Sequence, residues 1–291
     1  MLCVAWSGAE AAQARKANMR VIPADRAPDG DEITPRELST LKSSSVMVVR
    51  QEDGALLYAK NANAVVPIAS ITKLMTALVV LDAKLPLDEH IIVTMDDIDE
   101  IKGTRSRLKV GSRLTRGDML RLALMASENR AASALTRAYP GGSEAFVKAM
   151  NEKAMDLGMY RSSFVDGTGL SSDNVSTARD LVALVKAAYE YPLIRQYTTE
   201  TDYTVEISNG RTLHYRNSNR LVRNEDWDIG LSKTGYISEA GRCLVMQAVI
   251  SATPLVIVLL DSWGRLTRIG DANRIRKWIE ANALRPVAAR P

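Results

Sequence analysis

The spacing of apolar residues predicts strands near both ends of the chain and helices between them. Near the start, "SSVMVVRQEDGALLYAKN" has two strand-like runs around Glu52-Asp53-Gly54, which is typical of a hairpin. Towards the other end, "YTVEIS" and "RTLHYR" flank Asn209-Gly210, a strong signal for a tight hairpin turn. Three further strands are predicted at "IGLSKTGY", "CLVMQAVI" and "LVIVLL", and "TRIGDANRIRKWIEANAL" has the period of an amphipathic helix.

From residue 85 to about 190 the apolar period is mostly helical. Thr115, Ser143 and Thr177 each precede a helical segment, and each can accept a hydrogen bond from its first turn. The second segment is expected to end at Gly158, because glycine is common just past a helix C-terminus. A loop of turn-forming residues, "DGTGLSSDNVS", lies before the third segment.

One further segment, "PIASITKLMTALVVLDA" at 67–83, is apolar on all sides. This pattern predicts a wholly buried helix at the centre of the molecule. Strands at both ends of the sequence with helices between them predict an α+β fold. We expect one antiparallel sheet built from both ends of the chain, with an inserted, mostly helical lobe at about 85–190.

The remaining segments define the expected domain organisation. A short apolar run followed by Ala12-Gln13-Ala14 has the small-x-small form of a signal-peptide cleavage site, so residues 1–14 are expected to be the remnant of an export signal. A frayed, alanine-rich terminus is the alternative. Residues 15–34 are expected to form a flexible lead-in, residues 35–285 a single catalytic domain, and residues 286–291 a tail.

Composition and charge narrow the classes of function. The chain of 291 residues has a formal net charge of +4, but its basic residues are scattered and only 5% of its residues are aromatic. This distribution argues against nucleic-acid binding, and no apolar run is long enough for a membrane span. The two histidines, His90 and His214, lie far apart and neither neighbours a cysteine or acidic cluster with ligand spacing. We therefore expect no metal site and no cofactor, and Cys243 is predicted to be a buried free thiol.

The buried segment also contains the first candidate for chemistry, Ser70 followed by Lys73. Residues i and i+3 share a helix face, and a desolvated lysine loses its proton more easily. A neutral amine beside a serine hydroxyl is a general base, which supplies what the scarce histidines do not. The same S-x-x-K spacing occurs at Ser39 and Ser106, but neither opens an apolar helix, so both are weaker candidates.

Two further short motifs accompany this pair. Lys233-Thr234-Gly235 lies in a predicted strand, where the glycine allows another backbone or a ligand to approach closely. The S-x-N spacing occurs twice, at Ser127-Glu128-Asn129 after a helix and at Ser172-Asp173-Asn174 in the turn-rich loop. Order, spacing and the support of the helix favour the first, and the second is expected to build the loop.

Together, "PIASITK", "ASEN" and "KTG" resemble the three motifs of the penicillin-recognising serine D,D-peptidases and serine β-lactamases. Longer segments extend the resemblance: "SITKLMTALVVLDAKLPLDE", "MLRLALMASENRAA", "DGTGLSSDNVSTARDL" and "KTGYISEAGRCLVM" are similar to the low-molecular-mass D-alanyl-D-alanine endopeptidases of the penicillin-binding protein 7 type. The similarity runs from about residue 44 to residue 280. It implies the β-lactamase/D,D-peptidase-like fold, with terminal helices packed on the sheet.

The resemblance also implies roles for individual residues. Ser70 is expected to be the nucleophile that forms an acyl-enzyme, with Lys73 as the base. Ser127 is expected to relay a proton towards the leaving amine, and Asn129 to orient the substrate amide and the lysine. We also expect the positive charge of Lys233 to lower the pKa of Lys73.

In the same family the K-T-G strand lies antiparallel to the bound peptide. Lys233 and Thr234 are expected to attract and hold a substrate carboxylate, and Gly235 to allow close approach. The backbone N–H groups of Ser70 and Tyr236 are expected to form the oxyanion hole.

One element of related carboxypeptidases has no secure counterpart here. The loop "HYRNSNRLV" has serine where the carboxylate-binding arginine is expected, and Arg216 and Arg220 are the only nearby substitutes. This favours cleavage within peptide cross-links over removal of a terminal residue.

The expected function is therefore a serine D,D-peptidase that acts on peptidoglycan in the periplasm, with β-lactams as covalent inhibitors. A serine β-lactamase is the main alternative, although the loop offers Asp166 and no glutamate before Ser171 as a deacylating base. A non-catalytic wall-binding protein and a Ser-Lys protease of another fold are weaker alternatives.

Overall fold

The computed structural model describes residues 38–207 and 210–283. The predictions for residues 1–14, 15–34 and 286–291, and the turn residue Asn209, lie outside the described residues. Among the helices that are described, none is both long and apolar enough to cross a membrane.

The strands of the structure are β1 (Ser43–Arg50), β2 (Leu56–Lys60), β3 (Val66–Pro67), β4 (His90–Ile92), β5 (Arg113–Thr115), β6 (Val175–Ser176), β7 (Asp202–Ile207), β8 (Arg211–Arg216), β9 (Asp228–Ile237), β10 (Gly241–Ile250) and β11 (Thr253–Ser262). Five of them form the main sheet, in the order β2-β1-β11-β10-β9, and every neighbouring pair is antiparallel. Strands from the start of the chain therefore pair with strands from its end, as the apolar spacing predicts. The strand with the K-T-G motif, β9, lies at an edge of this sheet.

The helices are α1 (Thr72–Asp82), α2 (Arg116–Met125), α3 (Asn129–Arg137), α4 (Gly142–Asp156), α5 (Ala178–Tyr189), α6 (Pro192–Thr199) and α7 (Thr267–Ala283). A 3₁₀ turn at Ala69–Ile71 leads directly into α1. The first nine residues of α1 are all buried, which confirms the prediction of a central buried helix. The α+β fold class is confirmed as well.

Alternation along the strands divides the core into two parts. In β10, Cys243 and Val245 face a large cluster that includes α1 and the helices of the inserted lobe. Leu244 and Met246 face the opposite side, where they pack with residues of α7 such as Ile275. Successive side chains of a strand point to opposite faces, so a single strand contributes to both layers.

Two local predictions are wrong. Ser143 does not cap α4: the N-cap is Gly141, two residues earlier, whose φ of 87° lies in the left-handed region that glycine adopts most readily. The hairpin β7–β8 is paired as expected, but it forms a separate two-stranded sheet instead of joining the main one. The predicted caps Thr115 and Thr177 do accept hydrogen bonds, from the N–H groups of Asp118 and Asp180.

Candidate active site

The entry to α1 brings Ser70 and Lys73 into contact. Ser70 lies in the 3₁₀ turn just before the helix, and Lys73 lies in the first turn of the helix. The Lys73 Nζ is 2.9 Å from the Ser70 Oγ. The residue before the serine, Ala69, has a φ of 49°, an unfavourable conformation for a residue with a side chain. A strained backbone conformation of this kind persists only where the surrounding structure holds the chain in place.

Two acceptor groups hold the Lys73 amine on its other sides. Its Nζ donates to the Asn129 Oδ1 at 2.8 Å and to the carbonyl oxygen of Thr168 at 2.6 Å. Neither of these oxygens can donate a hydrogen bond. When the amine is neutral it has two N–H groups and one lone pair, so the two acceptors occupy both N–H groups. The lone pair then points to the remaining neighbour, the Ser70 hydroxyl.

Burial makes the neutral form of this amine accessible. The Lys73 side chain is completely buried, and this desolvation lowers its pKa from the usual 10.5 to about 7, against the opposing effect of the Asp166, Glu128 and Asp99 carboxylates. The expectation that the positive charge of Lys233 causes this lowering is not supported. Burial is the main cause at Lys73, and the repulsion between the two lysines instead helps to lower the pKa of Lys233.

The end of α2 and the edge strand bring the other two motifs together. The Lys233 Nζ donates to the Ser127 Oγ at 2.8 Å and to the carbonyl oxygen of Thr234 at 3.0 Å. Ser127 has a φ of 61°, a second strained residue at this site. Burial, and then the charges of Lys73 and Arg268, lower the pKa of Lys233 well below its usual value. All three motifs therefore meet in one place.

Gly235 determines how closely the edge strand approaches the serine. A Cβ at this position would lie 2.9 Å from the carbonyl oxygen of Ile68 and 3.2 Å from the backbone nitrogen of Ser70. These distances leave no room for a side chain, so only glycine allows β9 to lie against the 3₁₀ turn. The next residue, Tyr236, is thereby placed beside the turn with its side chain 54% exposed.

The position of the expected carboxylate-binding arginine is occupied by Ser218. Its hydroxyl accepts a hydrogen bond of 2.7 Å from the Thr234 Oγ1, on the K-T-G strand. Arg216 and Arg220 are both exposed. A small polar side chain therefore lies beside Thr234, at the sequence position where an arginine was expected.

The loop after α4 uses its acidic residue for its own structure. The Asp166 Oδ1 accepts hydrogen bonds from the N–H groups of Thr168 and Gly169, and its Oδ2 accepts from the Ser171 N–H and the Asn174 Nδ2. Both carboxylate oxygens are thus engaged in shaping the loop that presents the Thr168 carbonyl to Lys73. This carboxylate is poorly suited to activate a water for deacylation.

The other motif copies make different contacts. Ser106 donates to the Glu128 side chain, while Lys109 is exposed. In the second S-x-N copy, the Asn174 side chain is buried and bonds to groups of its own loop.

Cys243 is a buried free cysteine, and burial raises its pKa to about 11. No group of three or more histidine, cysteine or acidic side chains within 38–207 and 210–283 could hold a metal ion.

Two groups of the site have no signal in the sequence. The Thr168 carbonyl is a backbone atom, so no residue type marks it. The second group is Arg268, near the start of α7. Its Nη1 donates to the carbonyl oxygens of Gly235 at 2.8 Å and Cys243 at 3.1 Å, and these two hydrogen bonds hold the K-T-G strand to α7. Arg268 is part-buried, and this burial together with the nearby charge of Arg242 lowers its pKa to about 10.

Comparison with known proteins points to one family. The family model described as D-alanyl-D-alanine carboxypeptidase, Peptidase_S11, matches residues 31–263. The chain is 50% identical over 250 residues to a D-alanyl-D-alanine endopeptidase of Pseudomonas aeruginosa, covering 86% of this chain and 81% of the relative. It is 49% identical to the D-alanyl-D-alanine endopeptidase of Escherichia coli, with the same coverage of both chains.

Solved structures agree with the sequence comparison. The crystal structure of the Streptomyces K15 DD-transpeptidase superposes with a TM-score of 0.77 and 27% identity, covering 83% of this chain and 98% of that one. A D-alanyl-D-alanine carboxypeptidase of Mycobacterium tuberculosis superposes with a TM-score of 0.76 and 27% identity, covering 89% and 97%. The predicted fold, the resemblance to the endopeptidases and the prediction of a hydrolytic enzyme are confirmed. This chain belongs to the Peptidase_S11 family of serine D,D-peptidases.

Proposed function

We propose that this protein cleaves D-alanine-containing peptide cross-links of peptidoglycan through an acyl-enzyme on Ser70. The observation that carries the proposal is the environment of the Lys73 amine. It is buried, its two N–H groups are held by acceptor oxygens, and its lone pair is directed at the Ser70 hydroxyl. A serine activated in this way needs neither histidine nor metal.

The reaction follows from this geometry. The Ser70 Oγ attacks the carbonyl carbon of D-alanine while its proton passes to the Lys73 Nζ. The developing oxyanion is held by the backbone N–H groups of Ser70 and Tyr236. The tetrahedral intermediate collapses when the C–N bond breaks. Ser127 passes its proton to the leaving amine and regains one from the protonated Lys73, which restores the neutral base. Water then hydrolyses the ester, which frees Ser70 and releases the carboxylate of D-alanine.

The K-T-G strand supplies the binding edge. Because β9 has a free edge, the substrate can add to the sheet as an extra antiparallel strand. Asn129 and Thr234 flank this edge, and Lys233 adds positive charge. Ser218 in place of an arginine favours a substrate that continues beyond the scissile bond, which supports endopeptidase over carboxypeptidase activity.

Three further properties belong to this proposal. Peptidoglycan lies outside the cytoplasmic membrane, so we place the enzyme in the periplasm. β-Lactams resemble the acyl-D-alanine group and should acylate Ser70. Because the loop commits both oxygens of Asp166, hydrolysis of that adduct should be slow, which separates this enzyme from a β-lactamase.

The test is digestion of purified cross-linked muropeptide dimers, followed by chromatography and mass measurement of the products. The wild type should convert dimers to monomers, and pre-incubation with benzylpenicillin should abolish the conversion. A Ser70→Ala variant should be inactive, and a Ser39→Ala variant, which alters an exposed copy of the motif, should remain active. Intact dimers with the wild type, or equal cleavage by Ser70→Ala, would refute the proposal.

A further inference from the structure

A loop at 99–104 contacts the active site through one residue, Thr104. The Thr104 Oγ1 lies 3.0 Å from the Nδ2 of Asn129. The other end of the same amide, the Oδ1, accepts a hydrogen bond of 2.8 Å from the Lys73 Nζ. The Asn129 side chain therefore joins this exposed loop to the catalytic base.

The hydroxyl proton of Thr104 has a partner of its own. The Thr104 Oγ1 donates to the Asp99 Oδ2 at 2.6 Å, and a carboxylate can only accept. Burial would raise the pKa of Asp99, but hydrogen bonds from the Thr104 hydroxyl and from three backbone N–H groups outweigh it and lower that pKa, so Asp99 is ionised. Because its proton points at Asp99, the hydroxyl offers Asn129 only lone pairs. The end of the amide that faces Thr104 must then be the NH₂ group.

The 99–104 loop is held in place from two sides. The Asp99 carboxylate accepts hydrogen bonds of 2.8 to 2.9 Å from the backbone N–H groups of Ile101, Lys102 and Thr104. The Lys102 Nζ forms an ion pair with Glu239, which lies in the turn between β9 and β10. The position of Thr104 is thus fixed both within its own loop and against the main sheet.

The orientation of the Asn129 amide decides which group meets the lone pair of Lys73. With the Oδ1 towards Lys73, the neutral amine donates to the amide and its lone pair is left for the Ser70 hydroxyl. If the amide turned by 180°, its NH₂ group would face the amine and donate to that lone pair. The base would then be occupied and could not accept the proton of Ser70.

The two charge states of Lys73 place different demands on this amide. The protonated amine has three N–H groups and no lone pair, so it holds the Oδ1 towards itself without help. The neutral amine can donate to the oxygen or accept from the NH₂ group, so the orientation then depends on Thr104. The other charged groups around Lys73 are the same in both orientations: the carboxylates of Asp166, Glu128 and Asp99 and the amine of Lys233.

We propose that Thr104 is a positioning residue, which holds the amide oxygen of Asn129 towards Lys73. It thereby keeps the lone pair of the base free for the Ser70 proton. The second N–H of the amide can still donate to the substrate. The inference rests on the proposed function, because it concerns the base of that reaction. Thr104 acts only through Asn129 and touches no reacting atom.

The test is the variant Thr104→Val, which has the shape of threonine but no hydroxyl. The rate constant for acylation by benzylpenicillin is measured from pH 5 to 9. Turning the amide gives its NH₂ group the amine lone pair as a partner, about one hydrogen bond, so the rate above the inflection should fall about tenfold. The turned amide also stabilises the neutral amine, so the inflection should move from about pH 7 to about pH 6. At pH 5, where the amine is protonated in both proteins, the two rates should be equal.

Two further variants serve as controls. Thr104→Ser keeps the hydroxyl and should give the profile of the wild type. Thr204→Val removes the hydroxyl of an exposed threonine in β7 and should give the same profile. A general disturbance of the site would slow acylation by one factor at every pH, so it cannot imitate a lower plateau with unchanged rates at pH 5.

The outcomes separate the two proposals. If benzylpenicillin forms no adduct with the wild type, the proposed function itself fails. If the wild type reacts but Thr104→Val keeps its profile, or is slower by one factor at every pH, Thr104 does not orient the amide. Thr104→Ser being as slow as Thr104→Val above the inflection would lead to the same conclusion. A lower plateau, a lower inflection and rescue by serine together support the inference.

Discussion

At the scale of single residues, the site depends on a lysine whose ammonium group loses its proton near pH 7 because the fold buries it. Burial lowers the pKa of Lys73 to about 7, and the acceptor oxygens of Asn129 and Thr168 orient the amine once it is neutral. The Ser70–Lys73 pair could be predicted from the sequence, because the two residues are neighbours on a helix and the apolar pattern reveals the burial. The Thr168 carbonyl could not, since it arrives from 95 residues away and is a backbone atom.

The lowered pKa of Lys73 predicts how acylation depends on pH. Only the neutral amine can accept the serine proton, so the rate should fall about tenfold for each pH unit below about 7 and level off above it. The rate constant for acylation by benzylpenicillin, measured from pH 5 to 9, tests this. A rate that still climbs about tenfold between pH 8 and 9, as an amine with the usual pKa of 10.5 would give, would contradict the account.

Replacing the base with a permanently charged group gives the matching control. In Lys73→Arg the guanidinium stays protonated throughout this pH range. Above the inflection, at pH 8, acylation should be about a thousandfold slower than in the wild type, and the rate should no longer change between pH 5 and 9. A variant that keeps the inflection would show that another group titrates.

Ser218 predicts a change of specificity by a single substitution. In Ser218→Arg, a guanidinium beside Thr234 could bind a terminal carboxylate with two hydrogen bonds. The ratio of carboxypeptidase to endopeptidase activity should rise about tenfold, as measured on a pentapeptide and a cross-linked dimer. Ser218→Gln, which is long and polar but uncharged, should leave the ratio unchanged, and an equal shift in both variants would show that charge is not the cause.

At the scale of elements, the three motifs meet because the backbones of β9 and the 3₁₀ turn approach each other closely. The edge strand can lie against the 3₁₀ turn because Gly235 has no side chain, and Ser127 and Ala69 hold strained conformations on either side. The resemblance of the three motifs to those of the serine D,D-peptidases implied that they meet. The hydrogen bond from Arg268 to Gly235 could not be predicted, because no sequence pattern relates the helix and the strand that it joins. The wrong cap at Ser143 has a similar cause, since two adjacent glycines allow the helix to start earlier.

Gly235→Ala tests this close approach. The added methyl group would lie 2.9 Å from the Ile68 carbonyl, so strand and turn must separate by a fraction of an ångström. Acylation by benzylpenicillin should slow about a hundredfold, the usual effect of a displacement of that size. Gly54→Ala, in the first hairpin, is the control: its φ of 70° adds strain, but nothing lies within 4 Å. It should lose stability and keep the acylation rate, and a similar slowing in both variants would argue against the role of the contact.

At the scale of the whole molecule, the catalytic sheet exists only because the two ends of the chain come together. The Asp271 carboxylate of α7 is fully buried, and its Oδ2 accepts hydrogen bonds of 2.7 Å from both the N–H and the hydroxyl of Ser43. These groups are 228 residues apart in the sequence. The apolar spacing could predict that the ends share a sheet, but no local pattern shows which polar residue joins them.

Asp271→Asn should therefore weaken the fold without changing the chemistry. The amide keeps one acceptor oxygen but brings N–H groups towards the Ser43 donors, so unfolding in urea should require about 2 kcal/mol less free energy. The folded variant should react with benzylpenicillin at the rate of the wild type. An unchanged urea midpoint would show that this link between the ends contributes little.

The most direct test of the central claim is the mass of the intact protein after mixing with excess benzylpenicillin, followed over hours. The account predicts an added mass of one drug molecule on the wild type, located on the peptide that contains Ser70, persistent, and absent from Ser70→Ala. Rapid turnover of the drug with no lasting adduct would contradict slow deacylation and indicate a β-lactamase. Absence of both adduct and turnover would contradict the assignment of Ser70 as the nucleophile.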